Sequence, residues 1–547
     1  MSQSTATKHV DAVVIGAGFA GLYMYKKLRD DLGMTAQVYE RGDGVGGTWY
    51  WNRYPGARCD SESYVYCFSF DEDLLQEWSW SGKYPEQPEI LEYLNHVADR
   101  FDLRSGIQFN TSVTAAHFDD DSGMWTVETD QGDRVTSKYV ITAIGCISTG
   151  QIPNIPGLDS FEGEWHHTGA WPHEGVEFEG KRVAVIGTGS SGVQSIPVIA
   201  RESEHLTVFQ RTPQYTIPAQ HGTVDQAFLK EVKANYAEIM QQAKTSAAGF
   251  PYDASEVSAL EVSDEERLKT YEELWQKGGF HFMLGSYSDI ALDRRANDTA
   301  SEFIRGKIRE IVDDPETAEK LLPRDHPFAS KRALIDTNYF ETYNRDNVDL
   351  VDIRHFPIEE ITSTGLRTSD GQEYEVDVIV FATGYDAMTG TFLKMDIRGS
   401  NGAQLRDKWS DGPRTYLGLA AASFPNMFMI TGPGSPSVLS NMPVSIEQHV
   451  EWISDFIEYL REHDVDVVDA EQQAEDEWVD HVNEIAEQTM YMLADSWYLG
   501  ANIPGKPRVF MPYAGGVNVY RERCNEIAAE GYTGFTMSES REPALTD

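Results

Sequence analysis

Two glycine-rich turns in this chain carry opposite charges at a matched distance. Gly16-Ala17-Gly18-Phe19-Ala20-Gly21 is followed nineteen residues past its last glycine by Glu40, and Gly187-Thr188-Gly189-Ser190-Ser191-Gly192 is followed at the same spacing by Arg211. A carboxylate at that place accepts hydrogen bonds from a free ribose, whereas a guanidinium suits a ribose bearing a 2′-phosphate. The glycines let backbone approach a pyrophosphate, and the helix start behind them offers free N–H groups and a positive dipole end. The residues predict two dinucleotide sites in one chain, the second for a phosphorylated cofactor.

Such turns act only between a strand and a helix, and both settings can be read. Residues 9–15 and 181–186 are short apolar runs entering the turns; residues 22–32 and 193–202 suit helices; residues 37–39 and 206–209 suit the strands that follow. The expected fold is α/β, with two Rossmann-like dinucleotide-binding domains and a helical insertion in the second of them. The first nucleotide domain is expected over residues 8–145 and again over 389–540. A linker fills 146–180, and the second nucleotide domain occupies 181–221 and 331–388 around an insertion at 222–330. Within that insertion, residues 224–246 form one amphipathic run. Ser263-Asp-Glu-Glu266 is a capping box ahead of a helix that carries Leu268, Tyr271 and Trp275 on its apolar side.

At about 150 residues per domain, 547 residues predict three or four compact units. No stretch approaches the roughly 20 apolar residues of a membrane helix. The N-terminal residues 1–8 are polar and lead straight into the first strand, which predicts no secretory signal. The four cysteines, Cys59, Cys67, Cys146 and Cys524, form no close pair and no metal-type cluster with histidine, so a reducing, cytoplasmic setting and no metal are expected. With 88 acidic against 45 basic residues the net charge is −43 and the isoelectric point near 4.6. That charge disfavours nucleic acid and membrane partners and fits a monomer or weak oligomer. The acids are spread along the chain, as on a halophilic protein from a salt-rich cytoplasm or on an ordinary acidic bacterial enzyme.

The stretch before the second turn narrows the class. Phe161, Gly163, His167, Trp171 and Pro172 have the form F-x-G-x-x-x-H-x-x-x-W-P. With residues 46–51, 53–60, Lys331-Arg332 followed by 337–347, and 496–505, this pattern resembles the type I Baeyer–Villiger monooxygenases, nearest those acting on cyclohexanone and phenylacetone. The resemblance spans residues 8 to about 535. It implies an enzyme that binds FAD and NADPH, forms a peroxide at flavin C4a with O2, and converts a ketone to an ester or lactone. Arg332 matches the family's catalytic arginine, whose permanent charge stabilises anions without donating a proton. Asp60 matches the carboxylate that positions it.

The same resemblance assigns further residues. Gly16 to Gly21, Glu40, Gly47, Thr48, Trp49, Tyr50, Trp51, Asp60, Tyr66, Val113 and Met442 fall to FAD. Arg58, Thr188 to Gly192, Arg211, Thr212, Lys331, Arg332 and Trp497 fall to NADP, with Arg211, Thr212 and Lys331 around the 2′-phosphate. His167 reads as a linker or switch residue, and residues 439–442 as pocket wall. The chain departs from the family at Cys146-Ile-Ser-Thr-Gly150, where a Gln and Leu-Ser-x-Pro are common. Three rivals share parts of the pattern. N- or S-oxygenating flavin monooxygenases typically lack the Trp171-Pro172 ending. Disulfide reductases need a closer cysteine pair than Cys59 and Cys67, and a non-catalytic flavin binder needs no Asp60, Lys331 and Arg332.

Overall fold

A computed structural model describes residues 8–252 and 254–538; the expectations for residues 1–7 and for the end of the last domain at 540 lie outside them. Strand Lys8–Ile15 lies between Ala36–Tyr39 and Arg134–Thr142, parallel to both. Ala12, Val13 and Val14 are fully buried, as expected of a central strand covered on both faces. The sheet continues antiparallel through Met124–Thr129 and Val113–Asp119. Late segments complete it: Asp396–Arg398 pairs with Val113–Asp119, and Met427–Met429 with Arg134–Thr142. The chain beyond residue 390 thus returns to the sheet it began.

A second sheet, all parallel, has the order Val348–Asp352, His205–Gln210, Arg182–Ile186, Val378–Phe381, Glu164–His167. Its edge strand comes from the stretch read as linker. Four residues bearing two histidines give no strand signal by themselves, and the backbone of Val378–Phe381 supplies the pairing.

The two predicted turn helices form, at Phe19–Lys26 and Ser190–Glu202, and both begin earlier than their apolar pattern. The helix Phe19–Lys26 closes on a π-helical turn, Lys27–Asp31, short of residue 32. In the insertion the run at 224–246 is two helices, Gln226–Ala234 and Tyr236–Thr245, broken at Asn235 where φ is −122°. The Ser263 cap is present, its hydroxyl accepting from Glu266 N–H at 3.2 Å. Tyr271 and Trp275 are buried, but Leu268 is 55% exposed and does not belong to the packed side. The insertion is bracketed by a parallel pair, Thr216–Pro218 with Leu334–Asp336, so the chain re-enters the domain directly after Lys331 and Arg332. Among the described residues no helix is long and apolar enough to cross a membrane.

Candidate active site

Both turns are built alike. Gly16 and Gly187 have φ of +107° and +110°, a region L side chains rarely adopt. A Cβ on Gly21 would lie 1.8 Å from Gly16 O, and one on Gly192 would lie 2.3 Å from Gly187 O. These glycines let each helix close onto its strand. The middle glycines differ. Gly18 faces Gly47, whose Cα would be 3.3 Å from an added Cβ, whereas Gly189 has nothing within 4 Å.

Between the turns lies a cavity of about 1330 Å³. Of the residues assigned to FAD, Gly18, Phe19, Ala20, Gly47, Thr48, Trp49, Asp60, Tyr66 and Met442 line it. So do Arg58, Thr188, Gly189, Ser190, Ser191, Arg211, Thr212, Lys331, Arg332 and Trp497 of those assigned to NADP. Gly16, Ala17, Gly21 and Gly192 are not among the lining residues. Glu40 is buried, its carboxylate accepting Ala17 N–H at 2.9 Å and Gly42 N–H at 2.8 Å. Tyr50 and Trp51 lie off the cavity: the Tyr50 hydroxyl donates to Asp43 at 2.5 Å, and the Arg41 guanidinium stands 4.2 Å from the Trp51 ring centre. Val113 is not at the cavity; it packs with Val13 and Ile15 in the core of the first sheet, where its β-branched side chain fills the strand face.

Asp60 and Arg332, 272 residues apart in sequence, form a two-pronged ion pair. Nε donates to Oδ2 at 2.6 Å and Nη2 to Oδ1 at 2.8 Å, while Nη1 donates to Val438 O at 2.6 Å. The Phe280 ring lies 5.1 Å from the guanidinium carbon. Burial opposes the charge on Arg332, but the charge and hydrogen bonds of Asp60 outweigh it and hold the pKa above the ordinary arginine value. The group is a fixed, planar cation at the cavity wall.

Lys331 and Arg211 form a second basic corner. Among the described residues neither has an ion-pair partner within 4.0 Å, in a chain with 88 acids. Burial lowers the Lys331 pKa from the lysine norm, and Arg211 nearby lowers it further, against the upward pull of Asp325 and Asp495. The Thr188 hydroxyl donates to Thr212 O at 3.0 Å and ties this corner to the turn. Arg58 is committed elsewhere, donating to Glu86 at 2.8 Å, with Nη1 buried and unpartnered. Trp497, half-buried against Tyr498, lines one side of the cavity from the short 3-10 turn Trp497–Leu499.

His167 lies away from the ion pair and joins elements. Its Nδ1 accepts Gly169 N–H at 3.0 Å, so Nε2 carries the proton and donates to Gly384 O at 3.1 Å. Burial depresses its pKa, which keeps that neutral tautomer. Cys146 lines the cavity and directs its thiol to Thr431 O at 3.5 Å; burial pushes it up to about 11. All four cysteines are buried and unpaired. Phe280, Val438 O and Gln194 were not legible in advance, because an aromatic in an insertion, a carbonyl and a helix glutamine carry no signature of their own.

The fold and site define a two-dinucleotide flavoprotein of the monooxygenase class. The family model "Flavin-binding monooxygenase-like" matches residues 7–224. A Baeyer-Villiger monooxygenase of Pseudooceanicola batsensis is 48% identical over 97% of both chains. A phenazine N-monooxygenase of Lysobacter antibioticus is 46% identical, again over 97% of each. A solved structure of an oxidized steroid monooxygenase bound to NADP superposes with a TM-score of 0.93 at 50% identity, covering 97% of this chain and all of that one. The chain belongs to the Baeyer–Villiger monooxygenase family.

Proposed function

We propose that this protein is an NADPH- and FAD-dependent Baeyer–Villiger monooxygenase that inserts one oxygen atom of O2 beside a ketone carbonyl, giving an ester or lactone. The observation that carries the reading is the half-buried, two-pronged Asp60–Arg332 pair on the wall of a cavity that both glycine turns border. Bound flavin supplies O2 activation and accepts the hydride that bound NADPH provides.

The residues present suit these groups. Gly18 and Gly47 leave a cradle where side chains would collide, and Gly189 leaves open space at a helix start for a pyrophosphate. Arg211 and Lys331 are unneutralised cations of the kind a 2′-phosphate requires. Arg332 stands ready to balance negative charge that develops on the reacting oxygens, and Asp60 fixes its plane. An arginine in this place holds its proton throughout, so it stabilises an anion without quenching it. Trp497 and its segment exclude water from one side. The 46% identity to a phenazine N-monooxygenase favours a second reading, oxygenation at nitrogen, with the same cofactor-binding residues.

The net charge of −43 supports a cytoplasmic enzyme that works in high salt, as a monomer or weak oligomer, with neither nucleic acid nor membrane as partner. A panel of cyclic, aryl and long-chain ketones, with a sulfide and a heteroaromatic amine, distinguishes the acceptors. With NADPH, ketone products heavier by one oxygen support the reading. N-oxide alone favours the second reading, and NADPH consumption without any oxygenated product overturns both.

A further inference from the structure

Among the contacts between the two nucleotide-binding units is one made by a side chain that belongs to neither a glycine turn nor the ion pair. Gln194 lies in the helix Ser190–Glu202 that starts at the second turn, and its amide reaches across to the loop that leads to Asp60. The Tyr54 hydroxyl donates to Gln194 Oε1 at 2.7 Å and Arg58 N–H donates to the same oxygen at 3.4 Å, while Nε2 donates to Arg58 O at 3.1 Å. The orientation of the amide is forced, because the Arg58 carbonyl only accepts and burial raises the Tyr54 pKa so that its hydroxyl stays protonated.

Backbone shape reinforces the contact. Gly56 has φ of +79°, and a Cβ there would lie 2.3 Å from Gln194 O and 3.0 Å from Val198 Cγ2. The loop therefore seats directly on the helix. A second link from the same stretch, the Tyr385 hydroxyl donating to Asn52 Oδ1, joins the far side of the cavity. Gln194, Tyr54 and Arg58 all line the cavity.

We propose that Gln194 is a positioning residue that sets the NADPH-binding helix against the Asp60 loop, and so sets the approach of the nicotinamide to the flavin. This rests on the proposed function. Hydride transfer depends on placement within fractions of an ångström, and loss of such a key costs rate more than affinity.

The test uses the FAD-loaded enzyme and, separately, the protein stripped of cofactor, each as wild type, Gln194→Leu and Tyr54→Phe. In stopped flow, flavin reduction at saturating NADPH slows about tenfold in Gln194→Leu and less in Tyr54→Phe. NADP+ affinity changes by less than about threefold, and FAD content is unchanged. The double variant is less than additive, because both substitutions break one contact. In the stripped protein, amide hydrogen exchange over residues 53–60 rises in both variants. Unchanged limiting reduction rates, or unchanged exchange over 53–60, overturn the proposal. Wild-type flavin that NADPH fails to reduce defeats the proposed function instead, and the exchange comparison then judges Gln194 alone. If Gln194→Leu does not fold, Tyr54→Phe, which removes a single oxygen atom, carries the test.

Discussion

The two glycine turns share a backbone and differ in how far the protein has already satisfied them. At the first, Glu40 is buried and holds two backbone amides, and Gly18 is closed in by Gly47. At the second, Gly189 is open, Arg211 is exposed, and neither Arg211 nor Lys331 has an acidic partner within 4.0 Å. A site that is internally bonded and walled in suits a resident cofactor. A site with uncompensated positive charge at its mouth suits a charged nucleotide that must enter and leave in each cycle. The contrast is what the proposed division requires, with FAD resident at the first copy of one fold unit and NADP(H) exchanging at the second.

Substitutions can break this contrast or sharpen it. Arg332 lines the cavity between the two turns; Arg332→Ala is expected to lower ester formation by a factor of about a hundred or more, measured by product mass, while flavin stays bound and NADPH is still oxidised. Glu40→Ala attacks the closed site by orphaning two buried amides, at about 1–3 kcal/mol each. It should purify with clearly less FAD per chain and a lower melting temperature, and NADP+ affinity of the flavin-loaded fraction should be unchanged. Arg211→Ala attacks the open site. It should lower the kcat/KM preference for NADPH over NADH about tenfold, the worth of one charged hydrogen bond, and leave FAD content alone; an unchanged preference removes Arg211 from the phosphate corner.

The smallest effect is a pH dependence. Burial lowers the Lys331 pKa, so its charge is present below that pKa and is lost, as pH rises, earlier than for an exposed lysine. NADPH affinity should therefore weaken on the alkaline side, and Lys331→Arg, charged throughout, should flatten that decline. A profile unaffected by the replacement excludes Lys331 from binding.

Much of the fold was legible because its signals are local. Glycines that no other residue can replace, apolar runs entering them and charges at fixed spacing mark both units. The Ser263 cap was equally readable. What escaped depends on distance or on partners. Glu164–His167 becomes a strand only because Val378–Phe381 lies beside it. Leu268 fits the apolar spacing of its helix, yet the neighbouring helices cover the Tyr271 and Trp275 side more fully. Val113 shares a sheet with the strand that enters the first glycine turn, and its side chain packs in the core instead. The Asp60–Arg332 pair, separated by 272 residues, was reachable only through resemblance, and the Gln194 contact not at all.

The central claim is that one atom of O2 enters the ketone at the expense of NADPH held at the second turn. Turnover of cyclohexanone by the FAD-loaded enzyme under isotopically labelled O2, with NADPH consumption followed in parallel, tests it directly. A lactone carrying a single labelled oxygen for each NADPH oxidised is expected. Unlabelled lactone, or NADPH consumed with hydrogen peroxide as the sole oxygen product for every ketone tried, would contradict it.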